Sequence, residues 1–173
     1  MTRAAETSPS HEWQDAGRYC IDRATTPEDF TAVAGLLSAA FSLPRESFER
    51  ILDPSRPAPS DVAMFLARRD GQPVSTVLTI GSGEVICLWN MGIPPQFQRQ
   101  GASRVLLAAT LTYHRGRRVR LFYLGATEVG KPLYERMGFR TLEEAAIWVM
   151  GETPLWAIAE MSQELDHASP RHA

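Results

Sequence analysis

Apolar residues recur three and four positions apart in two stretches, Phe30, Val33, Leu36, Leu37, Phe41 and Val105, Leu106, Ala109, Tyr113. Each set lines one face of a helix. The first helix opens at Thr26-Pro27-Glu28-Asp29, with Thr26 as the cap, Pro27 at the first helical position and acids in the first turn. The second is predicted over 102–115. Between them Pro44 starts a short helix carrying Phe48, Ile51 and Leu52 on one side, and 53–60, with three prolines in eight residues, reads as a loop. Three strand-like runs follow, 62–69, 73–80 and 84–93. Asp70-Gly71, a strong hairpin signal, and Gly81-Ser82-Gly83 separate them, which predicts an antiparallel meander.

The remaining elements complete the order. Tyr19 to Ala24 reads as a short strand, and 118–126 as a strand apolar enough to be central. Residues 132–137 form a short helix closed by Gly138, which suits a left-handed C-terminal cap. Residues 139–150 read as a final strand, and Leu155, Ile158, Met161 and Leu165 give helical spacing over 155–165. An α/β (α+β) fold is expected, with an antiparallel first half and a helix-crossed second half. The domain is expected over 19–151, with 1–18 a mobile tail without apolar period and 152–173 an appended helix and tail.

The 173 residues suffice for one domain with a sizeable core, and 44% hydrophobic against 22% charged residues fits a soluble protein. A net charge of −2 argues against a nucleic-acid surface. The basic clusters at Arg68-Arg69 and Arg115 to Arg120 read as solvated element ends. Cys20 and Cys87 lack ligand-like spacing, so no metal site is expected, and both lie in apolar runs where a free Cys packs as a small core residue. No apolar run is long enough to cross a bilayer and the N-terminus has no hydrophobic signal region, so a cytoplasmic protein is expected.

The chemistry concentrates in Gln98-Arg99-Gln100-Gly101-Ala102-Ser103, between the strand-like run ending at Ile93 and the helix that begins at 102. Glycine permits a tight turn and close backbone approach. A helix opening straight after such a turn presents unpaired N–H groups and a positive dipole end, a seat for an anion and most often a phosphate. A second motif lies downstream: a strand ending at Leu124-Gly125-Ala126-Thr127, then a helix with Leu133-Tyr134-Glu135-Arg136-Met137-Gly138-Phe139.

These two motifs, in this order and on these elements, resemble the Gcn5-related N-acetyltransferase (GNAT) superfamily over about residues 19–150. The first matches Q/R-x-x-G-x-G/A, with Ser103 where Gly or Ala is usual. The second matches L-Y-x-x-x-G-F, with Thr127 where Asn is frequent. The resemblance implies a mixed central sheet with two splayed parallel strands, ending near Ile93 and Ala126, that hold acetyl-coenzyme A. Backbone groups of Met91 and Ile93 would contact the pantetheine arm. Gln98, Arg99, Gln100, Gly101, Ala102 and Ser103 would hold the pyrophosphate, with Arg104 and Thr127 as further cofactor contacts. Tyr134 would be the acid that protonates the departing thiolate, and a backbone N–H near Gly92 the oxyanion donor.

Phe41, Trp89 and Asn90 are the candidate acceptor contacts, Trp89 having a core role as its alternative. The strand Val85 to Met91 contains no acid, so the base would be water or an acid such as Glu128 or Asp61, Glu84 standing too far away. The resemblance implies N-acetylation of a small-molecule amine. Acetylation of a protein lysine or N-terminus, and a non-catalytic acyl-coenzyme A sensor, are the alternatives. The helix at 155–165 would be a lid or a homodimer contact.

Overall fold

A computed structural model describes residues 2–4, 16–52 and 61–144. Its elements, in chain order, are β1 (Thr2–Ala4), β2 (Cys20–Arg23), α1 (Pro27–Phe41), α2 (Arg45–Ile51), β3 (Val62–Arg69), β4 (Gln72–Ser82), β5 (Val85–Gly92), α3 (Ala102–Arg115), β6 (Leu121–Leu124) and α4 (Lys131–Arg136). They build a six-stranded sheet ordered β1-β6-β5-β4-β3-β2. All pairs are antiparallel except β5 with β6, which is parallel. This is the mixed α/β sheet with an antiparallel first half that the pattern predicts.

Local chemistry sets the element ends. The Thr26 hydroxyl accepts from the Asp29 N–H at 3.2 Å, while the Asp29 carboxylate accepts from the Thr26 N–H at 3.1 Å, a reciprocal cap on α1. Asp70 and Gly71 both take left-handed backbone, as a two-residue type I′ hairpin needs. Sheet faces alternate. Met64 and Leu66 pack with Val33, Leu36, Leu37 and Phe48 of α1 and α2. Phe65, Val77, Ile86 and Leu88 pack with Val105, Leu106 and Leu111 of α3 on the other side. Strand β3 is therefore buried on both faces.

Several expectations shift. Thr2–Ala4, placed within the expected tail, pairs antiparallel with Leu121–Tyr123. Gly81 and Ser82 continue β4, paired with Ile86 and Val85, so the turn is made by Gly83 and Glu84. Strand β6 is four residues long rather than spanning 118–126, because Arg118 is left-handed and ends the turn after α3. Residues 141–144 take no regular structure where a strand was expected. The rest of that strand and the helix at 155–165 lie outside the described residues. Cys87 is buried as expected, whereas Cys20 is exposed on the edge strand β2. Among the described residues no helix is long and apolar enough to cross a membrane.

Candidate active site

The parallel pairing of β5 with β6 runs from Val85–Leu121 to Leu88–Leu124 and then stops. Strand β5 continues to Gly92, whereas β6 ends at Leu124. Past these residues no strand among the described residues lies beside the edge of β5 that faces β6, and its backbone groups open toward the mouth between the two chain segments.

A bulge shapes this free end. Thr76 opposes Gly92 and Leu78 opposes Trp89, so Asn90 and Met91 together stand opposite Val77. Asn90 takes φ of 46°, the left-handed region that Asn tolerates better than most residues. The expectation tied a bulge to Gly92; the extra residue falls just before it, and Asn90 has a conformational reason to be there. Gly92 serves a different need: a Cβ on it would come within 2.9 Å of Leu37 Cδ2 and 3.3 Å of Ala40 Cβ in α1. Its carbonyl accepts from the buried Ser75 hydroxyl at 3.1 Å.

The expected anion seat has the required backbone. Gly101, the residue that caps α3, has φ of 87°, and no side chain caps the helix N-terminus. The first-turn N–H groups of Ala102 and Ser103 have no side-chain cap, and no acid stands in that turn. Arg99 is also left-handed, at φ of 57°, and exposed. Ala102 is fully buried against the core, so only a small residue fits there. The amide of Gln98 donates to the Ile93 carbonyl at 3.3 Å and that of Gln100 to the Gln96 carbonyl at 2.9 Å. These glutamines hold the turn rather than reach outward. Arg69, read as a solvated strand end, instead donates to the Gln100 side-chain oxygen and lies 5.8 Å from the Phe97 ring centre. Its neighbour Arg68 pairs with Asp29 at 2.5 Å.

Across the mouth, Tyr134 is 8% exposed on α4 and donates its hydroxyl to Met91 Sδ at 3.5 Å. Phe139 packs edge-on to its ring. Burial pushes the phenol up to about 12, because an apolar surround disfavours the phenolate. Thr127 accepts the Gly130 N–H on its hydroxyl at 3.2 Å, and its carbonyl accepts from Gly130 and Lys131 at 3.0 Å each. Thr127 thus shapes the turn into α4.

On the acceptor side Trp89 is 52% exposed, which removes the core reading. Phe41 is half-buried, its ring 6.4 Å from that of Phe48. Of the candidate bases, Glu84 sits at the opposite end of β5, 3.6 Å from Arg120. Asp61 lines a separate cleft of about 300 Å³ with Arg23, His114 and Arg117, also away from the mouth. Glu128 lies exposed in the turn after β6. Sequence reasoning did not single out His114. It is 6% exposed, its Nε2 is 3.0 Å from the Thr79 hydroxyl, and burial with nearby Arg117 and Arg23 lowers it to about 4. The i, i+4 spacing from Thr110, itself fully buried, was the available signal.

Residues 60–141 match the family model Acetyltransf_7, described as an acetyltransferase (GNAT) domain. No curated protein sequence matches the chain. Among solved structures, the fold is similar to a Pyrococcus horikoshii protein described as an acetyltransferase, at 23% identity and a TM-score of 0.63. That match covers 78% of this chain and 47% of the other, so this chain spans about half that protein's length. It is also similar to the ribosomal-protein-S18-alanine N-acetyltransferase of Escherichia coli, at 21% identity and a TM-score of 0.59 over 70% of this chain and 77% of that one. A third similar structure is the aminoglycoside N-acetyltransferase AAC(6')-Iy in complex with CoA, at 17% identity and a TM-score of 0.61 over 76% and 94% of the two chains.

Proposed function

We propose that this chain, whose residues 60–141 match the acetyltransferase (GNAT) domain model, is a GNAT-superfamily enzyme that transfers an acetyl group from acetyl-coenzyme A to a small-molecule amine. The observation that carries this reading is the mouth beyond Leu88 and Leu124, with the Tyr134 hydroxyl aimed at a sulfur inside it. A CoA complex of a similar fold supports the choice of cofactor.

The residues present fit the cofactor. Met91 and Ile93, at the free edge of β5, would hold the pantetheine arm as an added strand is held. The N–H groups of Gly101 to Ser103 would hold the pyrophosphate, at a turn where Arg99 and Gly101 are both left-handed. Acetyl-coenzyme A supplies an activated thioester. The amine nitrogen forms a bond to its carbonyl carbon, and the carbon–sulfur bond then breaks with the electron pair on sulfur.

Tyr134 acts on that sulfur. A phenol at about 12 does not surrender its proton to a thiolate of pKa about 8.5 as a net step. It donates a hydrogen bond as charge builds, leaving the Met91 thioether for a charged acceptor that binds the donor more strongly. The thiolate takes its proton from the ammonium of the collapsing intermediate or from water. With Glu84 and Asp61 at the far end of the sheet, the incoming amine loses its proton to solvent or to Glu128. Trp89, Asn90 and Phe41 flank the acceptor's approach.

Coenzyme A release from acetyl-coenzyme A with a panel of polyamines, aminoglycosides and N-terminal peptides tests the reading. Turnover on a small amine is expected. Turnover restricted to peptides replaces the acceptor class, and tight cofactor binding without turnover on any amine replaces the enzyme by a sensor.

A further inference from the structure

Gln100 is gripped from two sides by residues distant in sequence. The Tyr19 hydroxyl, from the segment entering β2, donates to its backbone carbonyl at 2.6 Å. Its side-chain amide is held between Arg69 and the Gln96 carbonyl. Tyr19 is 7% exposed and shares the core with Val105 and Leu106 of α3, so its ring is fixed before its hydroxyl reaches the turn.

The consequence follows from the planarity of the peptide unit. In a trans peptide the C=O of one residue and the N–H of the next point in opposite directions. No cis peptide occurs among the described residues. A hydrogen bond that fixes the Gln100 carbonyl toward Tyr19 therefore fixes the Gly101 N–H away from it. Gly101 is the residue with least intrinsic preference for any one orientation. Without the anchor, that peptide plane is free to rotate, and the first donor of the anion seat rotates with it.

We propose that Tyr19 is a positioning residue for the cofactor's pyrophosphate, acting through the Gln100–Gly101 peptide, with Arg69 and Gln96 holding the Gln100 side chain. The proposal rests on the reading that this turn seats a pyrophosphate. It ties the edge of the sheet at β2 and the end of β3 to the phosphate turn, so that the seat is organised before the cofactor arrives.

Tyr19→Phe keeps the packed ring and removes the hydroxyl alone. Binding of coenzyme A and of pantetheine, which lacks the pyrophosphate, is measured by calorimetry on the wild type and the variant. The variant's Kd for coenzyme A is expected to rise about five-fold, the usual effect of one lost neutral hydrogen bond. The Kd for pantetheine stays within about two-fold. A purely structural role would weaken both ligands equally, and that result overturns the proposal. If the wild type prefers coenzyme A and Tyr19→Phe keeps that preference in full, the bracing role is wrong. If the wild type binds the two ligands alike, the pyrophosphate reading itself is wrong and the proposal falls with it.

Discussion

The hydroxyl of Tyr134 donates to the sulfur of Met91 across 3.5 Å, joining α4 to the free end of β5 at the one stretch of that strand where β6 no longer runs alongside. A buried phenol has few acceptors to choose from, and here it has found sulfur.

Tyr134→Phe is expected to lower kcat by about a hundred- to a thousand-fold, the range for removing a donor to developing charge, with the KM for acetyl-coenzyme A nearly unchanged. Steady-state kinetics with the best amine measure it. Equal losses in turnover and in cofactor affinity would reject the role on sulfur. The raised phenol also has a stability signature. Its folded-state value of about 12 lies above the ordinary 10, so its contribution is complete below pH 10 and is lost as pH climbs through 12. Alkaline unfolding should begin later in Tyr134→Phe than in the wild type.

Gly101→Val places a β-branched residue at φ of 87°, a conformation that costs an L-residue about 1–2 kcal/mol and brings a side chain to the backbone surface proposed to meet the anion. Coenzyme A affinity should fall more than about ten-fold. Calorimetry showing wild-type affinity would remove the phosphate seat.

His114 gives an acid-side prediction. Burial, with Arg117 and Arg23 nearby, depresses its folded-state value to about 4 from the usual 6.5. The imidazole is neutral when folded, so its contribution is present above pH 6.5 and disappears as pH falls toward 4. Urea unfolding should show the wild type losing up to about 2 kcal/mol between pH 7 and pH 5 from this group. His114→Gln should flatten that loss. An identical pH slope in the two proteins would mean the imidazole already charges in the fold.

Trp89→Ala should raise the KM for the amine about ten-fold while leaving acetyl-coenzyme A affinity unchanged, a loss on the scale of a contact made by an aromatic wall. Its side chain is half exposed, so thermal stability should shift by only about 1 kcal/mol or less. An unchanged amine KM would take Trp89 out of the acceptor site.

Much of this protein was legible along the chain because the forces involved are local. The cap at Thr26 and Asp29, the Asp70-Gly71 hairpin, the start of α3 after Gly101 and the left-handed Gly138 all follow from energies within a few residues. The turn at Gly83 rather than at Gly81 was less legible. Gly81 has extended backbone and earns its identity from the Val85 carbonyl, which a Cβ would strike at 2.2 Å, a neighbour supplied by sheet pairing.

By itself the sequence determined the run of elements from β2 to α4, the two motifs and the tight turn at Gly101, since periodicity, caps and glycine placement act over one or two turns of chain. Tertiary structure alone decided that Tyr134 meets Met91 forty-three residues away, that Tyr19 holds Gln100 across eighty-one, and that burial lowers the pKa of His114. Those outcomes depend on which segments the sheet order brings together, and on how much water that packing leaves.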